Sequence, residues 1–135
     1  MGAGKKKPSE AARPIAQSRL IREFLTRDGD IAYAPIVNRF GMSKGQLAET
    51  AGLRPETLRR VSRAQSARTQ SRVTEMLEIV ARVADWAGGE KQAMAWYRAE
   101  PIPAFGGRTA ESLVKDGKAA ALRDYLDALA MGAYA

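Results

Sequence analysis

Apolar residues along this chain recur at three- and four-residue spacing, and turn residues cut the pattern into short lengths. Positions three and four apart share one face of an α-helix, so the pattern predicts an all-α fold. The first helix opens at Pro14, where a first-turn residue needs no N–H partner. It turns Ile15, Leu20, Ile21, Phe24 and Leu25 to one side. The run RDGD at residues 27–30 stops it, with Gly29 as cap. A second helix starts at Pro35, sets Ile36, Val37 and Phe40 inward, and ends at Gly41. Ser43 and Gln46 have the spacing of a capping box and open a helix over 44–50, which Gly52 breaks. Pro55 opens the next helix, over 55–62. The longest run holds Val73, Met76, Leu77, Val80, Ala81, Ala84 and Ala87 on one face and ends at Gly88 and Gly89. A helix over 90–99 carries Ala93, Met94, Trp96 and Tyr97. Two prolines make EPIPAFGG irregular, Thr109 caps a helix over 110–115, and Gly117 ends it. Leu122, Tyr125, Leu126 and Leu129 line a last helix over 118–131, and no segment alternates as a strand does.

Composition narrows the chemistry. The 135 residues suit one compact domain or two very small ones. There is no Cys and no His, which excludes disulfides, zinc sites of the Cys/His kind and the usual general base. The carboxylates Glu90, Glu100, Glu111, Asp116 and Asp124 are scattered without a motif. A P-loop needs G-x-x-x-x-G-K-[ST] between a strand and a helix, and neither AFGGRT nor GAGKKK satisfies it. The expectation is a protein without catalytic residues, cofactor or metal. No apolar run is long enough to span a membrane, and MGAGKKKP lacks the apolar stretch of a secretory signal, so a cytoplasmic location is expected.

Charge is placed unevenly. Residues 1–84 hold 16 Lys and Arg against 8 Asp and Glu, whereas residues 85–135 hold 6 against 7. A basic part joined to a neutral part points to a polyanion contact on the first and a different task on the second. The expected organisation is a disordered basic tail at 1–13, a helix-turn-helix region at 14–84 and a separate domain at 85–135.

The stretch SKGQLAETAGLRPETLRRV, residues 43–61, is the sharpest local signal in the basic part. Ala48 is small enough for a close helix crossing, Gly52 permits a turn with positive φ, and Leu47, Leu53, Leu58 and Val61 supply a shared core. The spacing resembles the Xre-type helix-turn-helix of bacterial repressors. That resemblance makes 55–62 the recognition helix, with Arg54, Glu56, Thr57, Arg59, Arg60 and Arg63 as the DNA-contacting residues. Arg68 and Arg72 extend the basic stripe toward phosphates. The bland reading of an Arg run is a solvated helix face.

In the neutral part, the pattern WYRAEPIPAFGGRTAESL followed by DGKAAALRDYLDALAMGAYA resembles the toxin-binding domain of Xre/MbcA/ParS-family type II antitoxins. The residues that carry it are Trp96, Pro101, Pro103, Ala104, Phe105, Gly106, Gly107, Arg108, Thr109, Gly132, Tyr134 and Ala135. Ile102 stands where the family often has Asn, and Ala110 where it often has Pro. The resemblance implies a partner of the RES-domain toxin class, which consumes NAD⁺ or transfers ADP-ribose from it. It also implies that the toxin's active site is occluded by the C-terminal end, that the operon is repressed through operator DNA, and that the chain forms a homodimer within a toxin–antitoxin complex. The toxin-binding residues would be Arg108, Gly132, Ala133, Tyr134 and Ala135, with the tyrosine ring and terminal carboxylate entering a narrow cleft. Arg108 has two readings, an acidic toxin residue or a brace on its own loop. Trp86, Trp96 and Phe105 are expected in the core. A stand-alone repressor with a C-terminal dimerisation domain has the same charge layout and is the alternative.

Overall fold

A computed structural model describes residues 15–132. The tail at 1–13, Pro14, and the predicted toxin-binding residues Ala133, Tyr134 and Ala135 lie outside the described residues, as does the side chain of Ile15. The described residues form eight α-helices: α1 Ile15–Arg22, α2 Tyr33–Phe40, α3 Lys44–Thr50, α4 Val61–Ala64, α5 Ala67–Ala87, α6 Glu90–Ala99, α7 Ala110–Lys115 and α8 Ala119–Ala130. Two single 3-10 turns, Thr57–Arg59 and Pro103–Phe105, interrupt the connections. Two isolated antiparallel bridges, Leu25 to Ile31 and Ile102 to Arg108, are the β contacts among these residues. The fold is all-α.

Helix α5 is the axis of the molecule. Ser66 caps it by accepting the Thr69 N–H, and Gly88 ends it at φ 99°. Its buried residues include Val73, Met76, Leu77, Val80 and Ala81 from the predicted face, and also Ile79 and Val83, which widen it on one side. The buried stripe is this wide because α5 touches α1, α4, α6, α7 and α8. The boundary expected between residues 84 and 85 falls inside this helix.

Local signals explain most of the ends. Ser43 and Gln46 form both halves of the capping box on α3. Thr109 caps α7 by accepting the Ser112 N–H. Pro35 sits in the first turn of α2, which starts two residues earlier, at Tyr33. Helix α1 stops at Arg22 and does not continue to Leu25. There the chain folds back, with Thr26 N–H donating to Asp30 O and Ala32 N–H to Phe24 O, both at 2.7 Å. That turn replaces helical bonds, buries Phe24 and leaves Leu25 outside. Trp86 also departs from expectation. Val80, Ala81 and Val83 fill the inner positions near this end of α5, so Trp86 is 55% exposed, with Trp96 edge-on at 5.7 Å.

Three contacts tie the end of α3, the turn after it and α5 to the C-terminal elements. The Tyr97 hydroxyl, on α6, donates to the Thr50 carbonyl at 2.6 Å, satisfying a buried helix-end oxygen. Arg72 on α5 donates to the Val114 carbonyl of α7. Gly52 sits at φ +79°, and a Cβ there would lie 2.9 Å from the Lys115 Cα.

Burial holds the Tyr97 phenol well above its ordinary pKa, helped by Glu111 and Glu75, and raises Tyr33 to about 12. Below pH about 10 both rings are protonated in the folded and unfolded chain, so this contribution is complete. Above that, the unfolded chain releases protons that the folded chain retains, so stability falls as pH rises. The urea midpoint of the wild type should therefore drop between pH 9 and 11, and a Tyr97→Phe variant should show a shallower drop. The same variant should lose about 1–3 kcal/mol at pH 7, from an unsatisfied Thr50 carbonyl. Gly52→Ala should be destabilised by more than about 1–2 kcal/mol, the cost of the left-handed backbone alone, because the methyl also meets the Lys115 backbone. Denaturant titration of each variant measures these losses.

Candidate functional site

The helix-turn-helix spacing folds as predicted through its first part. Leu47, Ala48, Ala51, Leu53 and Leu58 are all buried, and Leu53 N–H bonds back to the Ala48 carbonyl at 2.8 Å. The second helix does not form as a unit. Residues 57–59 make one 3-10 turn, Arg60 is extended at φ −102° and ψ 120°, and the helix restarts at Val61. The extended residue rotates α4 relative to the turn before it. Ala64 faces the core, held where its carbonyl accepts the Tyr33 hydroxyl, while Val61 is 71% exposed and not in the core. Gln70 fixes that corner by donating to the Tyr33 oxygen and accepting the Ile31 N–H.

The break scatters the predicted DNA-contacting residues. Arg54, Thr57 and Arg63 line one cavity of about 470 Å³ together with Arg68. Glu56 lies outside that lining, 3.9 Å from an Arg54 that is 82% exposed. Arg59 reaches back over α3, its Nη2 3.2 Å from where a Gly45 Cβ would be. It lines a second cavity, whose other residues include Lys44, Asp28 and Asp30. Arg60 is exposed on the extended link. Arg72, predicted to meet phosphates, turns inward to the Val114 carbonyl instead. It is half-buried on α5, and α7 lies across it.

At the other end, the loop before α7 is closed by backbone bonds. Ile102 N–H donates to the Arg108 carbonyl, and the Ile102 carbonyl accepts from Gly107, both at 2.9 Å. Gly106 and Gly107, at φ 70° and 84°, make the tight bend that the sequence implied. Ile102 is buried, so this position bonds through its backbone and packs through its side chain. Ala110 is the first residue of α7, a position that proline also accepts. Phe105 stacks edge-on against Tyr125 at 5.5 Å and so ties the loop to α8.

Arg108 braces this loop. It donates to Ser112 Oγ and the Ser112 carbonyl, and it pairs with Asp116 at 2.7 Å. Those partners stand four and eight residues further on, along one side of α7, a spacing visible in the sequence but not singled out there. Helix α8 leads out to Met131, 87% exposed, and Gly132, whose N–H bonds to the Leu129 carbonyl. Exposed Trp86 and Met131 are apolar contact surface that periodicity alone did not reveal, because periodicity gives a face and not its neighbour.

Among the described residues, no three or more Asp or Glu side chains are grouped as metal ligands would be. No helix among them is long and apolar enough to cross a membrane. Residues 82–132 match the family model described as the antitoxin Xre/MbcA/ParS C-terminal toxin-binding domain. That span holds the braced loop, Arg108 and the exposed end of α8. No curated protein and no solved structure gives a significant match.

Replacing Arg108 with Ala should free the loop without unfolding the protein. The bonds are partly exposed, so the expected stability loss is about 1 kcal/mol. Amide hydrogen exchange at Gly107 and Arg108 should quicken more than exchange in α5. Equal acceleration in both would mean that Arg108 supports the whole fold and not the loop.

Proposed function

We propose that the chain, whose residues 82–132 match the Xre/MbcA/ParS antitoxin toxin-binding domain, is an antitoxin of that family, and that the toxin it binds is a RES-domain enzyme that consumes NAD⁺ or transfers ADP-ribose. In this reading the antitoxin performs no chemistry. It neutralises its partner by placing residues 132–135 in the substrate cleft. The observation that carries the reading is the exposed exit of α8 at Met131 and Gly132, within the matched domain. Small residues and Tyr134 follow this exit in sequence, and a rigid ring fills a narrow cleft at low entropic cost. The braced loop and the Phe105–Tyr125 contact hold α8, which leads to this exit.

The second part of the proposal concerns DNA. The basic residues around the turn give the complex a polyanion-binding face, through which it represses its own operon. It works as a homodimer within a hetero-oligomeric complex in the cytoplasm. A stand-alone repressor is the competing reading, and co-purification separates the two: a repressor emerges alone, an antitoxin with its toxin.

Deleting residues 132–135 and co-expressing the chain with the neighbouring toxin tests the first part. Cellular NAD⁺ should fall and growth should stop, while Tyr134→Ala should weaken protection less. Full protection by the deletion variant, in an intact complex, would remove the cleft-filling mechanism. For the second part, affinity for the operon's own promoter should fall with salt at a slope of about −0.9 per phosphate neutralised. Absence of binding at low salt would end the DNA reading.

A further inference from the structure

A recess opens beside the interrupted second helix. Its wall is built from three separate pieces of chain: the turn with Arg54, the restarted helix with Ser62 and Arg63, and the start of α5 with Ser66 and Arg68. Thr57 joins the wall from the 3-10 turn. At about 470 Å³ it is the size of a small-ligand site.

Its charge sets it apart. No Asp or Glu is among its lining residues, whereas three arginines are. A second cavity, of about 380 Å³, sets Asp28 and Asp30 against Lys44 and Arg59. A third, of about 240 Å³, sets Glu23, Asp85 and Glu90 against Arg19. The second is balanced within its own lining, and the third is net acidic. In the first, Arg63 and Arg68 make no ion pair among the described residues, and Arg54 has only the exposed Glu56 contact at 3.9 Å. Three like charges around one recess repel each other, and an anion in it removes that cost. Guanidinium forks and hydroxyls are also the donor set that matches a tetrahedral oxyanion.

We propose that this recess is a phosphate-binding site, filled by Arg54, Arg63 and Arg68 gripping one phosphate group. The group comes from a DNA backbone or from a free nucleotide. Taking it from a duplex rests on the DNA reading above, whereas the recess as an anion site does not. On the duplex, the site anchors the chain without reading sequence, since phosphate contacts fix register and carry no base information.

Full-length protein labelled with ¹⁵N is titrated with inorganic phosphate and, separately, with duplex DNA from the operon promoter and of unrelated sequence. The variants are Arg63→Gln, Arg68→Gln and the pair. Lys91→Gln, at an exposed position of α6 outside the recess, is the charge-matched control. Inorganic phosphate should shift the amides of Gly52, Ser62, Arg63 and Arg68, and the double variant should lose those shifts. Each recess variant should weaken both duplexes by the same factor and reduce the salt slope by about 0.9, while the control changes neither. Phosphate shifts without duplex binding would support the site with a nucleotide as its source and would end the DNA reading. An absence of phosphate shifts at these amides overturns the proposal. Duplex binding that the recess variants weaken no more than Lys91→Gln overturns it too, and leaves the DNA reading standing.

Discussion

Helix α5 carries a wide apolar stripe, and water tolerates no part of it. Val73, Met76, Leu77, Ile79, Val80 and Val83 are fully buried, and each contributes roughly 1.5–3 kcal/mol only while covered. Helices from both before and after α5 do the covering: α1 and α4 on one side of it in sequence, α6, α7 and α8 on the other. The basic and neutral parts of the chain therefore share one core, although their charges differ. Polar ties follow the same plan. Arg82 of α5 is 11% exposed and forks onto Asp127 of α8, and Arg123 of α8 pairs with Glu78 of α5. Arg39 of α2 bridges Glu23 and Glu90, and these partners raise its pKa further.

A shared core has a consequence for the two surfaces. The turn at Gly52 rests on the backbone of Lys115, and the end of α3 hangs from Tyr97. The basic recess near the turn and the braced loop before α7 are thus mounted on the same few buried contacts. A partner that moves α7 relative to α5 strains the Gly52 contact and the Arg72 bond to Val114 directly. Close-packed interiors transmit such displacements because no void absorbs them. On the proposed function, linkage between toxin occupancy and DNA affinity would run through those contacts and act equally in both directions.

Most of the fold is legible from spacing and punctuation. The capping box at Ser43, the cap at Thr109, the left-handed Gly41 and Gly88 and the bend at Gly106–Gly107 are local features, and local sequence specifies them. What is not legible depends on neighbours distant in sequence. Val61 has core spacing, but Tyr33, nearly thirty residues earlier, captures Ala64 and turns the helix so that Val61 faces out. Arg72 belongs to the basic stripe in sequence, yet α7 offers it a carbonyl. Trp86 is large and apolar, but Val80, Ala81 and Val83 occupy the inner positions near it. At the candidate site the residue types were readable, and the matched family span agrees with the C-terminal pattern. Their grouping was not, because it hangs on the single extended residue Arg60.

That residue also changes what the basic face is suited to do. Base readout in the major groove works by laying a rigid helix along it, with side chains from successive turns reaching base edges. Here one 3-10 turn and a four-residue helix, set apart by extended backbone, replace the expected helix over 55–62. The arginines spread over several directions, and Arg59 is drawn back over α3. Such an arrangement keeps its long-range attraction for a polyanion, because attraction depends on net charge near the surface and not on a shared helical face. It loses the geometry that makes several base contacts at once. A face of this kind gains sequence preference when a second copy adds its own contacts at fixed spacing, since half-site separation is then itself selective. On the proposed function, the assembly and not the single chain is the unit that recognises an operator.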